Sequence, residues 1–538
     1  MLRKIECSKF TQKEILFHSG LNTIVGDELA SNSIGKSNML MIIDFVFGGR
    51  DYISKNKDVV VNLGHHSFKF EFDFTGEKLY FIRSTEDPDH VSLCNEKYLN
   101  VKVLSINQFT SLLQKKYNAE IEDLTFRDMV GRYFRVYGKE NLNEKKPIQY
   151  FEKETARSSI IALLKLFNKY TSIKELEMRI KNLKEEKKIL EDAAKKNLIP
   201  KLTKKLFKIN DKKIDGLNDE LNKLKKSILT ASIEIEALVS KEVLSLQSKK
   251  SDLTVKKNLL ENRLKRTLVN IAHSSINLEP ELSNLKKFFP DTNVDEIKKI
   301  DSFHSSLTKI LEEELKKTKK ELNTQIKQIS DQISSIDTEI NSKLSINNAP
   351  KFAIDRVIQL ASEIKQLKNA NGYYTKKIDI SNSIKSDSDE LKSHKQELQD
   401  EMCNKINDQM SKLNNQIYKD KRRAPTLQIK GDKYLFNTDG DTGTGTAFAN
   451  LITFDLTILE LTCLPAIAHD LPLLKNIENP AFENIVKLYN ESEKQIFIAI
   501  DKINSYNPET AQTITKNRVL QLSKDKLLFI KNWKYSGE

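Results

Sequence analysis

From Phe68 to Phe74 every second residue is phenylalanine, and the positions between carry Lys69, Glu71 and Asp73. A period of two with one charged side predicts a strand whose second face is wet. Other β-type runs, LRKIECSKF, EILFHSGLNTIVG, KLYFIRS and KVLSI, alternate with turns through the first 110 residues. Only NMLMIIDFVFG, behind Ser37, breaks in with helical spacing, and Gly48-Gly49 supplies its stop.

From about Thr171 the period becomes that of a coiled coil. Ile173, Leu176, Ile180, Leu183 and Leu190 recur at three-four spacing. Beyond Pro200 the series Ile214, Leu217, Leu221, Leu224, Ile228, Ala231, Ile235, Leu238 keeps one seam for more than three heptads, where an ordinary amphipathic stripe would drift and widen. A second seam runs through Leu322, Ile326, Ile329, Ile333, Ile336 and Ile340. Between them the heptads lapse around Pro280 and Pro290, which predicts an apex near 271–296 and an antiparallel hairpin of 172–270 against 297–418. A long parallel dimer would satisfy the same heptads. The hairpin is favoured because β-containing sequence resumes after Tyr418, and folding back unites two half-domains. Pro200 and the interruption at Asn347-Asn348-Ala349-Pro350 predict either an elbow or a local unwinding. The domain reading is thus 1–170 for the first half of a head, 171–418 for the coil and 419–538 for the second half.

Composition fits this picture. Of 538 residues 38% are hydrophobic and 30% charged, with 16 Gly and 11 Pro, a balance suited to long solvated helices. The net charge of +13, mostly lysine, is compatible with a polyanionic partner such as nucleic acid. Cys7, Cys94, Cys403 and Cys463 are scattered, which indicates neither a disulfide framework nor a zinc site and points to a reducing cytoplasm. No segment approaches 18 uninterrupted apolar residues, so a soluble chain with no membrane partner is expected.

The candidate chemistry lies at the two ends of the chain. Gly35-Lys36-Ser37 stands between the strand-like Leu21 to Gly26 and the helix behind Ser37. Strand, loop, Gly-Lys-Ser and helix form the context of a nucleotide-binding P-loop: backbone N–H groups and the helix N-terminus hold phosphates, Lys36 balances their charge, and Ser37 reaches Mg²⁺. Asn32, Ser33, Ile34 and Asn38 complete the candidate loop, although Ala30 occupies the position of its first glycine. Near the other end, Thr442, Gly443, Thr444 and Gly445 lead into the helical run AFANLITFDLTILELT, a second candidate anion site. The apolar strand Leu464-Pro465-Ala466-Ile467-Ala468-His469 then ends in Asp470, a candidate Mg²⁺ carboxylate, and Gln495 to Ile500 ends in Asp501.

Together these segments resemble the ABC-type ATPases of the structural-maintenance-of-chromosomes (SMC) and RecN kind. Asn32, Gly35, Lys36 and Ser37 match the family's Gly-x-Asn-x-x-Gly-x-Asn-Gly-x-Gly-Lys-Ser/Thr opening, while Ala30 and Ser33 stand where it has glycines and Asp27 to Ala30 lengthen the approach. Both replacements are small, so the loop can still approach phosphate provided neither position needs a positive φ. The resemblance implies an α/β head assembled from both chain ends, a long antiparallel coiled-coil arm, ATP with Mg²⁺ as cofactors, and Asp441 to Thr446 as a signature segment that meets ATP on a second subunit. It implies a homodimer with ATP sandwiched between the heads.

The family normally places a catalytic glutamate after the Asp470 position and a histidine near Asp501; here Leu471 and Asp501 stand there. Asp501 or His469 would then orient water, or hydrolysis would be slow and ATP would clamp the heads. NSIGKS with its insertion, and the DGDTGTGTAFANLITFDL to LPxxxHD block, are similar to the ATPase component of bacterial ABC three-component anti-phage defence systems. That implies a small middle-component protein and a separate effector, often a nuclease, as partners, with DNA bound without sequence preference. Arg127, Arg132, Arg135, Lys421, Arg422 and Arg423 are the basic clusters nearest the heads. The alternatives are a coiled-coil scaffold with a vestigial ATPase site, or a DNA-repair ATPase outside the zinc-hook branch, since no Cys-x-x-Cys marks the apex. No nuclease motif stands out in the chain itself.

Overall fold

The computed structural model describes the chain apart from residues 30, 32, 232–240, 273–293, 346–350, 441, 442 and 534–538. Ala30, Asn32, Asp441, Thr442, the seam positions Ile235 and Leu238, most of the expected apex with Pro280 and Pro290, and the stretch Asn347 to Pro350 therefore lie outside the described residues. The chain divides into two compact units, one of Met1–Glu185 with Asn382–Glu538 and one of Glu186–Ser381.

The first unit contains strands β1 (Leu2–Glu6), β2 (Glu14–Leu16), β3 (Leu21–Val25), β4 (Ser67–Phe74), β5 (Glu77–Ser84), β6 (His90–Cys94), β7 (Asn100–Ser105), β8 (Phe134–Arg135), β9 (Thr426–Lys430), β10 (Lys433–Asn437), β11 (Ala466–His469), β12 (Gln495–Ile500) and β13 (Arg518–Gln521). They form a sheet ordered β2-β1-β4-β5-β6-β7, a β9-β10 hairpin, and a sheet ordered β13-β3-β12-β11-β8. The first sheet is antiparallel, and β4 turns Phe68, Phe70 and Phe72 into the core while Ser67 and Lys69 stay exposed. The last sheet is parallel. Its central strands β3 and β12 are buried at every position, as happens when both faces of a parallel sheet are covered.

Helix α1 (Lys36–Val46) lies between the two sheets and is apolar enough to be buried on nearly all sides. Phe45 meets Phe68 at 5.8 Å on one side, and Phe47 meets Phe72 at 5.4 Å and Phe497 at 6.3 Å. The expected stop holds for a steric reason. Gly48 has φ +90°, and a Cβ on Gly49 would fall 1.9 Å from the Asp44 carboxylate. Arg83, wholly buried, closes the helix end by donating to the carbonyls of Phe45 and Gly49, the placement of cation and donor that a helix C-terminus favours.

The coil consists of α2 (Thr171–Lys195), α3 (Lys204–Ala231), α4 (Lys241–Ala272), α5 (Val294–Ser345) and α6 (Lys351–Tyr418), with Pro200 in the break between α2 and α3. In the second unit Lys213 pairs with Glu363 and Arg356 with Glu220, both at 2.7 Å. Partner numbers fall as residue numbers rise, so α3 and α6 run antiparallel within one chain. Exposed pairs of this kind contribute little; the buried Ile214, Leu322, Ile329, Ile340, Leu360 and Ile364 supply roughly 1.5–3 kcal/mol each.

Register in the parallel sheet decides where a ligand can go. Val25 pairs with Ile500, Ile498 with His469, and His469 with Arg135. The carboxyl ends of β3, β12, β11 and β8 thus share one edge, and Gly26, Asp501, Asp470 and Val136 emerge there. Open parallel sheets bind ligands at this edge.

Candidate functional site

The loop from Gly26 to Gly35 leaves β3 and delivers Lys36 as the first residue of α1. Its inserted part has its own supports: Asp27 Oδ1 accepts from the Ser31 N–H at 2.8 Å, and Glu28 Oε1 accepts from the Asn504 N–H at 3.3 Å. Gly35 is the N-cap, with φ +106°, and as a glycine it places no side chain of its own on the first-turn N–H groups. Ser33 has φ +65°. The proviso attached to its replacing glycine therefore fails, and the loop holds a non-glycine residue in the left-handed region at a cost of about 1–2 kcal/mol. Ser33→Gly is expected to recover up to about 1 kcal/mol after the entropy of glycine is offset, seen by calorimetry as a Tm rise of roughly 2 °C.

Lys36, only 7% exposed, donates to Asp501 Oδ2 at 3.0 Å and to the Ser31 carbonyl at 3.1 Å. Gly26 packs closely beside it: a Cβ there would lie 3.0 Å from Lys36 Nζ, so the lysine would have to shift by a few tenths of an ångström. Ser37 lies beside the carboxylate of Asp470, which is itself wholly buried, and favours its charged form. That carboxylate accepts from the Leu471 N–H at 2.8 Å and the Tyr137 N–H at 3.0 Å. Burial pushes the Asp470 carboxyl above its ordinary range, opposed by Ser37, by these two donors and by Lys36.

Above this floor is a cavity of about 440 Å³, within the 300–1,000 Å³ range of ligand sites. Ser33 to Asn38 border it, together with Tyr137, Leu471, Pro472 and two parts of the last segment, Leu527 to Phe529 and Lys531 to Trp533. Three lysines, Lys36, Lys475 and Lys531, face it against one carboxylate, Asp58, among the described residues. The donor set, the helix N-terminus and the Ser37–Asp470 pair fit a phosphorylated ligand with a divalent cation.

Asp501 and His469 are placed differently from their expected water-orienting roles. Asp501 does not border the cavity and serves as the counter-ion of Lys36. His469 is wholly buried, with Nε2 3.0 Å from Asp455 and Nδ1 2.6 Å from the Tyr489 hydroxyl. Both ring nitrogens are engaged, which leaves neither for water. Among the basic clusters, Arg127, Arg132 and Arg135 are counter-ions of Asp44, Glu154 and Asp455 rather than a polyanion surface.

The second candidate anion segment opens α7 (Thr444–Leu461) behind the N-cap Gly443, again a glycine. A Cβ on Gly445 would stand 2.6 Å from the Asn476 carbonyl. Gly445→Ala should therefore force the two backbones apart and lower stability by about 1–3 kcal/mol, measured by thermal unfolding. Neither Gly443 nor Gly445 borders the Lys36 cavity of the same chain.

Sequence reasoning missed the core of this arrangement. Asp455, in the middle of α7, is 0% exposed and accepts from Arg135 Nε and Nη2 and from His469 Nε2. The signal was a lone carboxylate in the apolar run LITFDLTIL. It also missed the last segment as a cavity wall, which no periodicity marks.

Among solved structures, the chain is similar to an Smc head domain with a coiled coil and joint from Pyrococcus yayanosii, with 15% identity, 97% of this chain and 94% of that chain covered, and a TM-score of 0.44. It is also similar to an Smc head domain with an extended coiled coil bound to the C-terminal domain of ScpA from Pyrococcus furiosus, with 12% identity, 96% and 91% covered, and a TM-score of 0.35. No curated protein matches the chain. Residues 413–532, from the end of α6 through α7, β11, β12 and β13 to the cavity wall, match the model of a family described as an uncharacterised protein conserved in bacteria (DUF2326).

Proposed function

We propose that the chain is an SMC-like ATPase that binds Mg²⁺ and ATP and works as a switch between paired heads. The observation that carries this reading is a lysine-rich cavity opened by the N-terminus of α1 and lined by Lys36 and Ser37, with the buried Asp470 carboxylate beside Ser37 just beneath its lining. The first-turn N–H groups and Lys36 would hold phosphate oxygens, and Ser37 with Asp470 would hold Mg²⁺, which when bound neutralises charge on the transferred phosphate. Ser33, Ile34 and Asn38, which border the cavity, would shape the loop together with Asn32. Thr442, Gly443, Thr444 and Gly445 would meet the nucleotide of a second copy, a reading supported by the place of Gly443 and Gly445 away from the cavity of their own chain. One head then carries half of each site, which requires a homodimer.

Slow turnover fits this reading, because Leu471 and Pro472 rather than a carboxylate follow Asp470 at the cavity. The heads would act as a clamp or sensor on DNA, whose backbone suits a chain of net charge +13. A role in anti-phage defence, with a small middle component and an effector, rests on the motif resemblance. A cytoplasmic setting fits free cysteines; among the described residues no helix is long and apolar enough to cross a membrane. The scaffold reading is favoured by Leu471 alone.

The test is Mg²⁺-dependent ATP binding by equilibrium dialysis, with sedimentation velocity and phosphate release on the same samples. ATP-driven dimerisation with turnover well below one per second is expected. A chain that binds no ATP would leave the scaffold reading in its place.

A further inference from the structure

The cavity has a second kind of wall, which phosphate binding does not use. Leu528 lies against the P-loop: its N–H donates to the Ile34 carbonyl at 3.1 Å, and a Cβ on Gly35 would fall 2.4 Å from Leu528 Cβ. The segment is tied down on its other side as well. Phe10 and Phe529 form an antiparallel bridge, the Ile530 N–H donates to the Lys9 carbonyl at 3.0 Å, and Lys531 Nζ donates to the Asn62 carbonyl at 2.9 Å. These bonds deliver Trp533, the single tryptophan of the chain, to the cavity. Its ring lies 5.9 Å from that of Phe529, and its indole N–H points to Asp58 Oδ2 at 3.4 Å.

A half-buried indole with its N–H on a carboxylate is held in orientation. It borders the same cavity as Lys36 and Ser37, and the five steps from Leu528 to Trp533 span at most ~18 Å. One extended molecule with an anionic end and a flat aromatic end can therefore meet both walls. The anionic end is served by Lys36, Lys475 and the helix N-terminus, and the flat end by π-faces. Stacking on such a face is sequence-tolerant, because every base offers one.

We infer that Trp533, positioned by Asp58 and backed by Phe529, is the platform on which the base of a nucleoside triphosphate stacks. The inference rests on the ATP-binding reading and adds to it the part of the ligand that is not phosphate. It predicts weak discrimination between purine bases.

The experiment compares ATP, GTP and inorganic tripolyphosphate by calorimetric titration of the full chain, for the parent, Trp533→Ala and Trp533→Phe, with thermal unfolding of each as a control. Emission of Trp533 is read in the parent, where it has no competing tryptophan. ATP should quench the emission. Trp533→Ala should weaken ATP about 5- to 100-fold while leaving tripolyphosphate within about twofold, and Trp533→Phe should retain most ATP affinity. Equal ATP affinity in the parent and Trp533→Ala, or unaltered emission on saturation with ATP, overturns the platform and leaves the ATP reading standing. A parent that binds neither ATP nor tripolyphosphate overturns the ATP reading, and the platform with it.

Discussion

Asp455→Ala is expected to destabilise the head by about 3–5 kcal/mol. Arg135 and Asp455 are both 0% exposed, and the guanidinium gives the carboxylate two hydrogen bonds while two more of its N–H groups reach the carbonyls of Asn141 and Pro147. Removing the carboxylate strands a buried cation and a ring N–H, so the cost is that of unpaired charge rather than of one lost bond. A double replacement, Arg135→Met with Asp455→Leu, should recover most of the loss, since it deletes both charges and keeps apolar volume. Tyr489→Phe, which removes only the hydroxyl on His469 Nδ1, should cost about 1 kcal/mol.

Thermal unfolding of the series checks this, and equal stability of Asp455→Ala and the parent would contradict it. The network also predicts a pH limb. Burial, opposed by Asp455, pushes His469 below its ordinary value. The imidazole is thus neutral in the fold and protonates more readily in the unfolded chain. Its contribution is complete above about pH 6.5 and declines as the pH falls through and below that value.

Lys36→Met is expected to lower ATP affinity by roughly 10- to 150-fold, the equivalent of losing one or two charge-assisted hydrogen bonds at about 1.5–3 kcal/mol. The same substitution leaves Asp501, 8% exposed, without its 3.0 Å partner, so stability should fall as well. The two effects separate in a cycle. Asp501→Asn added to Lys36→Met should restore stability by neutralising the stranded charge, and should leave affinity low. Asp501→Asn alone frees Lys36 from its counter-ion, so ATP has one less bond to break and affinity should rise or stay level. Calorimetric binding and unfolding of the four proteins test it. If Asp501→Asn abolished ATP binding instead, Asp501 would be a ligand contact and not a counter-ion.

Much of this molecule is readable as pattern. The alternation of Phe68, Phe70 and Phe72, the helix behind Ser37 closed by glycines, and the break at Pro200 follow from local rules that short segments obey alone. The approaches of Lys36 to Asp501 and of Ser37 to Asp470 join positions more than 430 apart; strand-end carboxylates carry a signal that marks Asp470 and Asp501 as candidates, but the pairing of Asp501 with Lys36 is not legible in it. Pairings such as Arg135 with Asp455 carry almost none, because a charge in an apolar run does not name its partner. Ser33 illustrates the opposite limit: its size suits the loop, yet its φ is +65°, which side-chain size does not reveal.

The sequence by itself determined the elements, the seam of the coil and the candidate residues for holding phosphate, because period, propensity and capping are properties of neighbours along the chain. The tertiary structure decided which of those residues meet. Parallel register brings the ends of β3, β12, β11 and β8 to one edge, burial turns Asp501, His469 and three arginines into counter-ions or core groups, and the segment ending at Trp533 closes the cavity from nearly 500 positions beyond the P-loop. Desolvation and close contact depend on what lies across space, and for that the order of residues along the chain supplies no measure.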